Sequence, residues 1–173
     1  MLTPYDLIVL VSCTTFNFIP YGKTDPSGIR ARYRRKGWLP PAWVFEVVWF
    51  LLYLDLSAAT FFFWYGQEQD VLYYVGFAAI LANVLLNGIW TKLYFEYSFY
   101  MLAFADAIAM LAASFTVVAA CVFHLPNYTA IVAGVLFLPY IAWIMLVIVM
   151  IAYAGPLPDP PRVQRAVNVF YED

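Results

Sequence analysis

The chain has 173 residues, of which 65% are hydrophobic, 20% aromatic and only 12% charged, with a mean hydropathy of +0.77 and a formal net charge of −2. A water-soluble domain of this size cannot bury that much apolar surface, so the composition excludes a soluble globular protein and places the chain in a lipid bilayer. The same composition points away from a nucleic-acid partner and towards membrane lipids.

A membrane span takes about 20 apolar residues to cross a hydrocarbon core of about 30 Å. Five such runs are predicted, at 5–20, 41–65, 71–94, 98–123 and 128–154, the first being the shortest. Stretches such as Phe61-Phe62-Phe63 and Val147-Ile148-Val149 show no alternation of period two, so the spans read as helices and not as barrel strands. The expected fold is therefore an all-α polytopic bundle of five transmembrane helices over residues 1–155, followed by a Pro-rich tail at 156–173. The opening run lacks a basic leader and a small-residue cleavage site, so an uncleaved internal span is expected.

Between the first two runs lies a loop holding Lys23, Arg30, Arg32, Arg34, Arg35 and Lys36, six of the nine basic residues. The loop after the second run is acidic, with Glu68 and Asp70. This asymmetry predicts the first loop and the C-terminus on the cytoplasmic-equivalent side, where the basic cluster meets anionic headgroups. The membrane would be mitochondrial in a eukaryote and that of the cell envelope in a bacterium. Trp38 belongs at headgroup level, and Pro41 suits a first helical turn. The short second and fourth loops predict antiparallel neighbours on either side. Asn127-Tyr128-Thr129 is a formal glycosylation sequon close against the membrane. After Gly155, the prolines at 156, 158, 160 and 161 stop the last helix, and Val169, Phe170 and Tyr171 offer a tail that could dock onto other subunits of a membrane complex.

The polar residues inside the spans are patterned. Asn83, Asn87, Trp90 and Tyr94 recur at helical spacing, giving the third span one polar and aromatic stripe. Glu46, Trp49 and Tyr53 share a face of the second span, and Asp55, about 900° beyond Glu46, falls opposite. Asp106, Met110 and Ser114 align in the fourth span, as do Tyr140, Trp143 and Val147 in the fifth. Pro139 frees the carbonyl of Val135 and can bend that last helix around a cavity. A carboxylate at the bilayer centre costs roughly 2.5–3.5 kcal/mol, so Asp55 and Asp106 are expected to face the bundle or to be protonated, while Glu46 lies nearer water. Small-residue pairs at Ala105/Ala109, Ala109/Ala113 and Ala130/Gly134 permit close helix contact. The single histidine, His124, sits at a helix end. No residues have metal-ligand spacing, and no nucleophile elbow or phosphate loop is present in the sequence. These observations predict a helical bundle with an aromatic and amide-lined cavity under a basic loop, suited to a flat apolar ligand with a few polar groups.

Three motifs in order carry a resemblance. Trp38-Leu39-Pro40-Pro41-Ala42-Trp43-Val44-Phe45 with Trp49 and Leu52-Tyr53, then Asn87-Gly88-Ile89-Trp90 with Tyr94-Phe95, then Pro139-Tyr140-Ile141-Ala142-Trp143, resemble the second, third and fifth helices of the tryptophan-rich sensory protein or translocator protein (peripheral benzodiazepine receptor) family. The resemblance implies a five-helix membrane protein, commonly a homodimer, that binds porphyrins, sterols and benzodiazepine-type ligands beneath the first loop. Carried onto this chain, the cavity residues would be Trp38, Tyr53, Asn87, Trp90, Trp143 and Val147, with Asn83 standing where the family usually has Gln. The chain departs from the family pattern at Leu146-Val147 and Met150-Ile151, where Phe-Ala and Leu-Asn are usual, and at Glu46, where Gly is usual.

Three functions are therefore expected to compete. The first is binding of a porphyrin, haem, sterol or lipid as ligand, with no cofactor required. The second is a structural or lipid-binding subunit of a larger assembly. The third is a porphyrin-modifying enzyme, or proton-coupled transport through Asp55 and Asp106.

Overall fold

The computed structural model describes residues 11, 14–15, 40–65, 69–97, 99–124 and 126–154. The first predicted span, the basic loop with Trp38, and the tail lie outside the described residues. Within them are four helices long and apolar enough to cross a membrane: α1 (Ala42–Tyr65), α2 (Val71–Thr91), α3 (Tyr100–Phe123) and α4 (Tyr128–Ala154). The protein is thus an all-α polytopic membrane bundle.

Each boundary has a local cause. α2 starts where the carboxylate of Asp70 accepts the backbone N–H of Tyr73 at 2.7 Å, satisfying one of the first-turn donors. At its end the N–H of Lys92 is shared between the carbonyls of Gly88 and Ile89, and a five-residue π-helical turn, Lys92–Glu96, follows. The apolar span nevertheless runs over Val71–Tyr94, the bounds expected from the sequence, with its last turn π-helical. α4 starts beside Asn127, whose Oδ1 accepts both the backbone N–H of Thr129 (2.9 Å) and its hydroxyl (2.7 Å). The sequon residues thus serve as a helix start. Pro139 lies inside α4 without ending it.

The helix backbones approach in the order α2–α3, α3–α4 and α4–α1. α1 and α2, though consecutive, meet through large side chains: Phe63 stacks on Tyr73 at 5.6 Å and Trp64 packs against Phe77 at 5.6 Å. α1 turns Phe45, Trp49, Leu52, Tyr53, Leu56 and Phe63 inward. The alanines that α3 buries are Ala103, Ala107 and Ala120, while Ala105 and Ala109 are exposed and Ala113 is half-buried. The two alanine pairs of α3 therefore sit off the inner face, because Asp106, Met110 and Ser114 fix which side of α3 points inward, whereas Ala130 and Gly134 of α4 do face α3, Gly134 at Cys121.

Close contact also explains Gly76. A Cβ built there would lie 2.4 Å from Phe63 Cζ and 2.9 Å from Ala120 Cβ, so the absence of a side chain lets α2 settle between α1 and α3.

Candidate functional site

The polar stripes of all four helices converge on one buried network. The hydroxyl of Tyr53 donates to Asn87 Oδ1 at 2.8 Å, Asn87 Nδ2 donates to the hydroxyl of Tyr140 at 3.0 Å, and that hydroxyl donates to Met110 Sδ at 3.4 Å. One turn away, Asn83 Nδ2 donates to the Met110 carbonyl (3.1 Å) and to Ser114 Oγ (2.9 Å). In hydrocarbon an unsatisfied amide costs several kcal/mol, so two asparagines in one stripe call for partners on every neighbouring helix. The four helices supply them.

Trp49 is the hub of the aromatic layer beside this network. Its ring lies 5.6 Å from Tyr53, 5.7 Å from Trp90, and 6.4 Å from both Tyr140 and Trp143. Trp90 stacks on Tyr94 at 4.7 Å, and Phe45 meets Trp143 edge-on at 5.6 Å. Val147 is buried in the same core. Among the described residues, the buried indole Nε1 atoms of Trp49 and Trp143, and Oδ2 of Asp106, have no hydrogen-bond partner. Two donors and an acceptor are thus left over where the neighbouring Asn87–Tyr140 network is closed.

The structure brings Tyr53, Asn83, Asn87, Trp90, Trp143 and Val147 into one core, and it adds Trp49, Met110, Ser114 and Tyr140 as their partners. Tyr140 was visible in the sequence as part of an aligned trio, but its link to Asn87 depends on how α4 faces α2. Trp38 lies outside the described residues. The three acids separate. Asp106 is buried, as a carboxyl in a span requires. Glu46 is exposed although helical spacing keeps it on the arc of Trp49 and Tyr53, because it lies little more than a turn into α1. Asp55 lies on the opposite side of α1 and does not face the core. It lines a lateral groove of about 700 Å³ between α1 and α4, with Val48, Leu51, Pro139, Trp143 and Leu146. The bend-prone proline therefore borders a groove on the outer side of the four described helices, not the network between them.

At one end of the bundle, His124 ties α3 to α2. Its Nδ1 donates to the Ala120 carbonyl at 2.7 Å, and its Nε2 lies 3.2 Å from Asp70 Oδ1. The backbone N–H of Tyr73, followed by His124, holds the Asp70 carboxyl below the usual carboxylate range. His124 is thereby a helix-end contact, and among the described residues no group of three or more His, Cys, Asp or Glu could hold a metal ion.

Fold and core together define a polytopic helical membrane protein organised around a tryptophan-rich, amide-centred interior. Residues 7–154 match the family model described as TspO/MBR, and the chain belongs to that family. It is similar to the "Tryptophan-rich sensory protein" of Cereibacter sphaeroides, at 32% identity over 111 residues covering 61% of each chain. It is also similar to "Protein CrtK" of Rhodobacter capsulatus, at 26% identity over 112 residues, 64% of this chain and 66% of that one. The match thus spans a little under two thirds of the length of either relative.

Proposed function

We propose that the protein is a membrane ligand-binding protein that takes a flat, largely apolar molecule of the porphyrin or sterol kind against the Trp49–Trp143 side of its core, beneath the first loop. The leftover polar atoms carry this reading. The buried N–H groups of Trp49 and Trp143 and the carboxyl of Asp106 want an acceptor or a donor, and a planar ligand with polar atoms on an apolar ring system supplies both. The tryptophans supply wide apolar faces for stacking. Binding needs no metal or catalytic group of the chain, and a tetrapyrrole would be its ligand rather than its cofactor. Orientation with the first loop and C-terminus towards the cytoplasmic-equivalent side, and homodimerisation, belong to the same proposal.

Titration of a metal-free tetrapyrrole into the protein in nanodiscs, followed by tryptophan quenching, tests it. Trp49→Phe keeps an aromatic ring in the core and removes one N–H. One lost hydrogen bond corresponds to roughly 2- to 10-fold weaker binding. Non-saturable quenching, or identical affinity in Trp49→Phe and Asp106→Asn, overturns the reading.

A second reading is favoured by the closed network itself. Tyr53, Asn87 and Tyr140 spend their groups on one another, as residues of a purely structural core would. The bundle would then be a structural or lipid-binding subunit of a larger membrane complex, joined through the tail. Stoichiometric co-migration with other subunits after mild-detergent extraction supports it, and recovery as a free monomer or dimer removes it.

A further inference from the structure

The groove between α1 and α4 has a chemistry the core reading does not use. Asp55 is the fourteenth residue of the 24-residue α1, which puts its carboxyl near mid-membrane depth. It is half-buried and has no hydrogen-bond or ion-pair partner among the described residues. Lys92 and His124, the basic residues described in the four helices and their ends, both lie at helix termini. A carboxylate in that position is costly unless a donor or a cation meets it. The other residues bordering the groove are apolar, Trp143 among them.

A lone carboxylate in an otherwise apolar slot is the arrangement that recognises a lipophilic amine: the protonated nitrogen meets the carboxylate, and the apolar body runs along the slot towards Trp143, whose ring lies at the level of Phe45 and Trp49. The slot also sets the shape of the guest. From Asp55 back to Val48 is seven residues, or about 10 Å of helix, and Leu146 lies alongside on α4. The groove is bordered by the exposed Leu51, Leu54, Ala142 and Leu146, so among the described residues it opens sideways, towards the lipid.

We infer that this groove is a lateral binding site for lipophilic amines, whose nitrogen meets Asp55 and whose apolar body, about 10 Å long, lies along Trp143 towards Val48 and Leu146. The site is separate from the Asn87–Tyr140 network and does not rest on the tetrapyrrole reading, although Trp143 borders both.

The probe is 10-bromodecylamine added to the protein in phosphatidylcholine nanodiscs, with 10-bromodecanoic acid and 1-bromodecane as controls of equal chain length. Bromine quenches only nearby indoles, and the signal lost in Trp143→Phe isolates Trp143. The amine should quench saturably, and at least ten-fold more tightly than either control. Asp55→Asn should abolish that preference. Ala142→Phe, which fills the groove and leaves Asp55 in place, should block quenching by all three probes. Neither variant should move the tetrapyrrole titration, so failure of one site is distinguishable from failure of the other. Equal quenching by amine, acid and bromodecane, or unchanged amine binding in Asp55→Asn and Ala142→Phe, overturns the proposal.

Discussion

Gly76→Ala is the sharpest test of how the helices pack. The new methyl carbon would lie 2.4 Å from Phe63 Cζ, 2.9 Å from Ala120 Cβ and 3.0 Å from Phe63 Cε2. Ala120 cannot move its Cβ without moving α3. Phe63 is fully buried and stacked on Tyr73, so it has no free rotamer to retreat into. Overpacking of this kind costs roughly 1–3 kcal/mol, against which alanine's helix preference over glycine returns up to about 1 kcal/mol. A net loss of about 1–2 kcal/mol is expected. Gly88 provides the internal control, since a Cβ there meets nothing within 4 Å, and Gly134 lies between the two with Cys121 Cβ at 3.3 Å. Unfolding of the three alanine variants in mixed micelles with rising SDS should rank Gly88→Ala at or above wild type, Gly134→Ala next and Gly76→Ala lowest. Gly76→Ala as stable as Gly88→Ala would refute the close approach of α1, α2 and α3.

Asn87→Ala removes two hydrogen bonds at once and leaves the Tyr53 hydroxyl without its acceptor. Interhelical bonds in lipid average about 0.6 kcal/mol each, so a loss of roughly 1–2 kcal/mol in the same SDS assay is expected, and no change would show that the network is not stabilising. Asp70 carries a pH dependence of known sign. Its folded carboxyl titrates below the ordinary value of about 3.9, so its stabilisation is present above that pH and is lost as pH falls through the lower folded value. The unfolding midpoint of wild type should therefore drop on acidification below about pH 4 more steeply than that of Asp70→Asn; parallel curves would remove the clamp to Tyr73 and His124. Topology is read from single cysteines at Ser27, Gln69 and Gln164 in a background lacking Cys13 and Cys121. An impermeant maleimide should reach Ser27 and Gln164 from one face and Gln69 from the other, and labelling of Ser27 and Gln164 from opposite faces would break the five-span count.

The sequence by itself determined that the chain is helical and membrane-spanning, because span length and hydropathy are local properties that each segment carries alone. It also determined that Asn83, Asn87 and Trp90 lie on one stripe, because helical periodicity is fixed by the backbone. Capping at Asp70 and Asn127 is equally local chemistry, but it emerges from the structure alone, since the sequence presents the one as a loop acid and the other as part of a sequon. Only the tertiary structure decided which way each stripe turns. In lipid, both faces of a span are apolar, so hydrophobicity does not mark the inward side as it does in water, and small residues and hydrogen bonds set the rotation instead. That is why the exposed alanines of α3 could be mistaken for its seam. It is also why the placement of Asp55 in an outer groove, and the pairing of Asn87 with Tyr140 across 53 residues, became visible only once α4 was seated between α1 and α3.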